Sequence, residues 1–273
     1  MKNKFSILLI LVLSITGCET YVDVDIPQQE SKLVVVCFIS PQEPITKISV
    51  SASSPLFKET SVNIYDQITD AEVEISDGQI TYTVPYDEIQ GYHFDNTSFP
   101  INAGVSYTLT VSAPGFKPVR ATTKVPSATA FLENAEVSFV YVAGTNSDAN
   151  QNLNFNLSWL DQEIEDNYYG LEFYFYGLDY ESHYFSSLAT DKDKNLQQIN
   201  KSFSGPSTFG GVTETPSFRV YLLNASESYY LFKNSLMNQN NGDPFSEPTL
   251  IYTNIENGFG CFGAYNGSSR IID

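Results

Sequence analysis

Residues 70–86 read DAEVEISDGQITYTVPY, two runs of alternating apolar and polar residues on either side of Asp77-Gly78. Period-two alternation puts one face of an extended segment in a core and the other in water. Asp-Gly between two such runs is the strongest short hairpin signal, because both residues tolerate the positive φ of a tight hairpin turn. The same period continues on both sides. KLVVVCFIS (32–40) reads as a buried strand, TKISVSAS (46–53) alternates, and GVSYTLTVSAPG (104–115) puts Tyr107, Leu109 and Val111 on one face. FKPVRATTKVP (116–126) adds a further strand, and Val125-Pro126-Ser127 closes the series. Short strands at this spacing predict an all-β protein whose residues 32–126 form an immunoglobulin- or fibronectin-like β-sandwich.

Residues 127–273 continue in the same manner and are expected to form a second β-rich domain. Strand candidates are AEVSFVYVAG, NLNFNLSWLD, YYGLEFYFYG, PSFRVYLL and TLIYTNI. Loops rich in Asn, Ser and Gly are expected at 144–152, 186–217 and 238–248. One segment departs from period two. Asn224 followed three residues later by Glu227 resembles a capping box, and Tyr229, Phe232 and Leu236 share a face at helical spacing, so one helix is predicted near 226–238.

The amino terminus has a different logic. Lys2 and Lys4 precede an apolar run from Phe5 to Leu13, and small residues lead to Ile15-Thr16-Gly17-Cys18. This is the layout of a secretory signal peptide, and its apolar core falls short of the about 20 residues that span a bilayer. The ending resembles a bacterial lipobox, with residues 1–17 removed after Gly17 and Cys18 taking up lipid. A single acyl chain gives reversible attachment, whereas two or more hold a protein on a membrane. Residues 18–31 read as a lipidated tether, acidic and without a long apolar run.

Charge narrows the partners. The chain carries a formal −18, and loss of residues 1–17, which hold two lysines and no acid, leaves −20. Nucleic acid is excluded as a partner because phosphate backbones require clustered Lys and Arg. The same charge repels anionic lipid headgroups, so contact with the membrane is expected through the N-terminal lipid alone. With Cys18 lipidated, Cys37 and Cys261 remain, and Cys37 has the character of a buried core thiol.

No segment carries a specific catalytic signature. Gly258-Phe-Gly-Cys-Phe-Gly263 matches a dinucleotide fingerprint by letter only, since no helix and distant acid follow it. Its glycines are expected to turn the chain while Phe259 and Phe262 enter the second domain's core. Asp191-Lys-Asp193-Lys-Asn195 opens like a calcium loop but has Leu196 where glycine belongs. The acids of LDQEIED (161–166) suit an exposed turn. His93 and His183 lie far apart and read as surface residues, with neither HExxH nor GxSxG nearby. Catalytic residues, metal ligands and cofactors are therefore none, and no enzyme activity is expected. The aromatic run YYGLEFYFYGLDYESHYF points instead to binding. Tyr169, Tyr174 and Tyr176 are assigned to one face as a candidate binding surface, because exposed tyrosine combines rigid area with a polar tip. Trp159 is expected in the core.

Taken together, KLVVVCFIS followed by PQEPITKISVSAS, the Gly104–Gly115 pattern, the Val-Pro near 126 and the ending GDPFSEPTLIYTNIENGFGCFGAY resemble the lipoproteins grouped as domain of unknown function 4249. The likeness spans essentially the whole mature chain. It implies a Bacteroidota outer-membrane lipoprotein, lipid-anchored and exposed at the cell surface, that partners a TonB-dependent receptor in nutrient uptake or recognition. The competing expectation is a structural or adhesive surface lipoprotein without a transport role.

Overall fold

A computed structural model of the chain describes residues 30–54, 67–141, 151–161, 167–176, 181–191, 196–205, 217–239 and 250–273. The described residues from Ser31 onward belong to one compact unit. Among the described residues there are three sheets and one helix, an all-β architecture of sandwich type.

The apolar run after Lys32 is β1 (Leu33–Ile39), joined to β2 (Ile45–Ala52). The opening hairpin pairs β3 (Glu72–Ser76) with β4 (Thr81–Thr83), followed by the short β5 (Tyr86–Asp87) and β6 (Gly91–Asp95). Two longer strands, β7 (Ser106–Ser112) and β8 (Val119–Lys124), complete the first half. The hairpin turn has four residues rather than two, with Ser76 opposite Thr81. Its extra length is held by Asp77, whose Oδ1 accepts the N–H groups of Gln79 and Ile80 at 2.8 Å each while Gly78 takes φ +89°. These backbone donors keep the Asp77 carboxyl below the usual carboxylate range.

The second half supplies β9 (Leu132–Tyr141), β10 (Gln151–Leu160), β11 (Tyr168–Tyr176), β12 (Glu181–Thr190), β13 (Gln198–Gly205) and β14 (Phe218–Ala225). Helix α1 (Glu227–Met237) and a long final strand, β15 (Phe259–Ile272), follow. Two of these strands correct the sequence expectation, since β12 enters and β13 lies within the stretch expected to be loop. In β13 the polar Gln198, Asn200, Ser202 and Ser204 are exposed around Ile199 and Phe203, and in β12 Tyr184 and Phe185 both pack on the core, which hides the alternation. Residues 250–255, expected to be a strand, are not one.

The largest sheet has eight strands in the order β12-β11-β14-β15-β1-β2-β6-β5. A four-stranded sheet, β4-β3-β7-β8, covers its β1 end, and a three-stranded sheet, β13-β10-β9, covers its β11 end. Each pairing encloses a core. In the first, Leu33, Val35, Cys37 and Ile39 meet Val73, Ile75, Tyr107, Leu109 and Val111. In the second, Leu153, Phe155, Leu157 and Trp159 meet Leu171, Phe173, Phe218 and Leu222. Buried phenols are satisfied: Tyr107 donates to Pro100 O and accepts from Asn102 N–H.

The unexpected element is β15. Its first half pairs in parallel with β1, from Val34 opposite Phe259 to Ile39 opposite Ala264. Its second half pairs antiparallel with β14, from Ala225 opposite Tyr265 to Phe218 opposite Ile272. Phe262 and Ala264 consequently enter the first core and Ile272 the second. This corrects the expectation that Phe259 and Phe262 fill the second core. The glycine-rich stretch is strand, Phe262 belongs to the first core, and Phe259 is more than a third exposed beneath the Lys32 ammonium. At the crossover, buried Asn266 accepts from Gln42 Nε2 at 2.8 Å and Thr129 Oγ1 at 2.7 Å and donates to Pro126 O at 3.0 Å. Ser268 donates to Ala130 O. The segment between the two cores is thereby pegged to one strand.

Helix α1 matches the predicted span, but its cap differs. Ser226, not Asn224, is the N-cap and accepts from Tyr229 N–H, while Asn224 donates to Ala128 O. Ser226 also accepts from Ala264 N–H at 3.0 Å, which ties the start of the helix to β15. The two described cysteines are both free and buried. The register explains why. Cys261 lies opposite Val36, on the sheet face away from Cys37, and its thiol donates to Ser228 O in α1.

Gly260 has φ +105°, and a Cβ there would sit 2.0 Å from Val35 O. Gly260→Ala is expected to cost at least about 3 kcal/mol by forcing β15 away from β1. Because β15 serves both cores, the loss should appear equally in far-ultraviolet circular dichroism and in the fluorescence of Trp159, which lies in the second core. An unchanged Trp159 transition would show that the cores unfold independently.

Candidate functional site

On the face of the large sheet opposite both cores, α1 covers β15 and β11 and packs on Phe38. Beside the helix the sheet floor is open, forming a cleft of about 780 Å3. Its position follows from strand parity. On β14, Phe218, Val220 and Leu222 face the second core, so Arg219, Tyr221 and Leu223 face the cleft. On β11, Tyr169, Leu171 and Phe173 face the core, so Glu172 and Tyr174 face the cleft. A bulge at Phe173/Tyr174 shifts the register of β12, turning both Tyr184 and Phe185 towards the core and leaving His183 and Ser186 on the cleft side. The β1–β2 turn forms the far wall. Within it Gln42 acts as a substitute strand partner, accepting from Gly267 N–H where β15 has left β1.

Parity also corrects the candidate surface. Tyr169 does not share a face with Tyr174: an interval of five residues along a strand reverses direction. Tyr169 is 1% exposed, stacks edge-on against Trp159 and donates to Asp161. Tyr174 lines the cleft. Tyr176, 40% exposed, lies at the cleft margin with the Arg219 guanidinium 4.8 Å from its ring centre. Trp159 is buried in the second core. Of the two histidines, His93 makes a local contact to Gly91 O, whereas His183 is a cleft residue.

Electrostatically the cleft is built around Glu172. Its Oε2 accepts from Ser186 and lies 3.2 Å from His183 Nε2; its Oε1 accepts from Tyr229 OH at 3.3 Å and lies 3.5 Å from Lys233 Nζ. Glu181 pairs with Arg219 Nε at 2.7 Å, and Glu43 accepts from Tyr265 OH at 2.9 Å. Each carboxylate thus has a cation or phenol attached. Sequence spacing offered no sign of this grouping, because Glu43, Glu172 and Lys233 come from three distant elements.

Burial raises the phenols of Tyr174, Tyr221, Tyr229 and Tyr265 above the ordinary tyrosine value, and the neighbouring carboxylates, chiefly Glu172, Glu181 and Glu43, raise them further. Burial likewise pushes the Cys261 thiol up to about 12. Asp193 and Asn195 of the stretch that opens like a calcium loop, and residues 162–166 of the other acidic turn, lie outside the described residues. Among those described, no three His, Cys, Asp or Glu side chains are placed to hold a metal ion. Gly17, Cys18 and the tether up to residue 29 also lie outside them.

Two cores on one face of a shared sheet, with a helix and a polar aromatic cleft on the other, define a sandwich-built all-β protein with a solvent-open concave surface. Residues 19–271 match the family described as Domain of unknown function (DUF4249), and the chain belongs to that family. No curated protein matches the chain.

The buried phenols fix a pH response. Tyr169, Tyr229 and Tyr265 ionise near pH 10 when unfolded and well above it when folded. Their contribution is therefore complete below about pH 10 and falls as pH rises beyond it, by about 1.4 kcal/mol per pH unit for each group. Urea melts between pH 8 and 11.5 should show this decline, and Tyr229→Phe should flatten the slope by one group's share. A slope identical in the variant would contradict the assignment.

Proposed function

We propose that the chain is a lipid-anchored binding protein of the bacterial envelope, of Bacteroidota type, that serves a TonB-dependent outer-membrane receptor in nutrient uptake or recognition. The cleft is the observation that carries the binding part of this reading. Its carboxylates are each engaged by a cation or a phenol, an arrangement suited to orienting a ligand rather than to exchanging protons with one. No reaction is assigned to it. Anchoring rests on Ile15-Thr16-Gly17-Cys18 behind the apolar run. Among the described residues no helix is long and apolar enough to cross a membrane. Lipid on Cys18, with a tether of at most about 45 Å, would hold the strongly acidic body near the bilayer.

The anchor and the partner are tested separately. Wild-type protein should label with palmitate and expose two titratable thiols on denaturation, Cys37 and Cys261, because the third sulfur is a thioether. Cys18→Ser should lose the label and keep residues 1–17, and a variant that is trimmed after Gly17, stays membrane-associated and still labels would refute the anchor. After crosslinking in intact cells, purification of the lipidated chain should recover a TonB-dependent receptor. Recovery of the chain alone, with a deletion that changes attachment but not uptake, would favour the adhesive role instead.

A further inference from the structure

We infer that the cleft beside α1 takes a neutral, hydroxyl-rich ring ligand, an oligosaccharide segment, with the rings of Tyr174 and Tyr221 as its platform. The inference rests on the body being a ligand-binding one and specifies what it binds.

A ligand cation would seek ring faces and carboxylates, but Lys233 and Arg219 already engage Glu172, Glu181 and the rings of Phe38, Tyr229 and Tyr176, and Glu43 is engaged by the Tyr265 hydroxyl. Lys233 Nζ lies 3.5 Å from Glu172 and 5.5 Å and 5.8 Å from the ring centres of Tyr229 and Phe38. Arg219 engages Glu181 and the Tyr176 ring. An incoming ammonium would have to displace one of them. An anion fares worse, because three carboxylates outnumber two neutralised cations in the cleft and the chain as a whole carries −18.

A wholly apolar ligand would take water from Glu43, Glu172, Glu181 and Arg219 and return no hydrogen bonds, a cost of the unsatisfied kind. Hydroxyl groups avoid this cost because each can both donate and accept. They can give protons to the carboxylates and receive them from Arg219, Lys233 and the Ser269 hydroxyl. The remaining surface is aromatic. Tyr174 and Tyr221 lean edge-to-face with centres 5.5 Å apart, and both are half-buried, so each is fixed yet presents part of its ring to the cleft. Rigid phenols of this kind receive the apolar C–H face of a sugar while their hydroxyls stay within reach of its rim. The volume, about 780 Å3, lies high in the range of small-ligand clefts and has room for more than one ring.

The test uses the full lipidated protein in a zwitterionic, sugar-free detergent. Calorimetric titration with maltotetraose, cellotetraose, xylotetraose and mannotetraose should find at least one that saturates, and tetragalacturonate, a chitosan tetramer and tetra-alanine should bind at least about tenfold more weakly. Tyr174→Ala should weaken the binding by about tenfold or more, whereas Tyr174→Phe, which keeps the ring, should stay within about threefold. Unchanged thermal melting of the Phe variant guards against misfolding. Binding by none of the neutral tetrasaccharides, preference for the acid, the amine or the peptide, or full binding by Tyr174→Ala would overturn the inference. Receptor recovery that persists without sugar binding would remove the ligand class alone. Sugar binding without a receptor would remove only the receptor.

Discussion

The architecture depends on one strand having two different neighbours at once. β15 lies parallel to β1 over its first half and antiparallel to β14 over its second, so a single run of backbone hydrogen bonds continues through both halves of the chain. Without it, the β1–β2–β6 portion and the β11–β12–β14 portion would each be small sheets with an unpaired central edge, a form that neither buries enough apolar surface nor resists association. With it, they become one eight-stranded floor. Gly260 is the point where that constraint is tightest, since only a residue without Cβ can sit against Val35 O.

Placing both smaller sheets on the same face of this floor leaves the other face to α1 and the cleft. The site is therefore a by-product of how the cores are covered. Side chains that alternate away from apolar residues on β11, β14 and β15 converge there, and the β1–β2 turn and α1 wall it in. Convergence from distant segments explains how an acid-rich chain can assemble a locally compensated group of charges. Glu172 has four partners within the cleft, His183 and Ser186 from the neighbouring strand β12 and Tyr229 and Lys233 from the distant α1.

The all-β class, the hairpin and the helix were legible because each is a local pattern: Asp77-Gly78 between alternating runs, and Tyr229 and Phe232 at helical spacing. What failed was long-range or disguised. β13 carries Ser, Asn and Gln on an exposed face, which lowers its contrast, and the bulge opposite Phe173/Tyr174 breaks the period that would reveal β12. GFGCFG (258–263) reads as turn because glycine usually marks one, yet here Gly260 permits close approach of two strands. Odd and even strand positions diverge, so Tyr169 parts from Tyr174, and its burial against Trp159 follows directly from that parity. The cleft itself was invisible, because register between strands separated by most of the chain leaves no local trace.

The order of synthesis gives the shared strand a further meaning. β15 follows every other described element, and its partner β1 precedes them, so a nascent chain must wait until residues beyond 259 leave the ribosome before either hydrophobic interior can be sealed. Until then β1 lacks a neighbour on one side, and Leu33, Val35 and Cys37 have no complete lining. A polypeptide arranged in this way stays open for nearly its whole emergence and then closes late, which lengthens the interval in which chaperones can engage it before native packing intervenes.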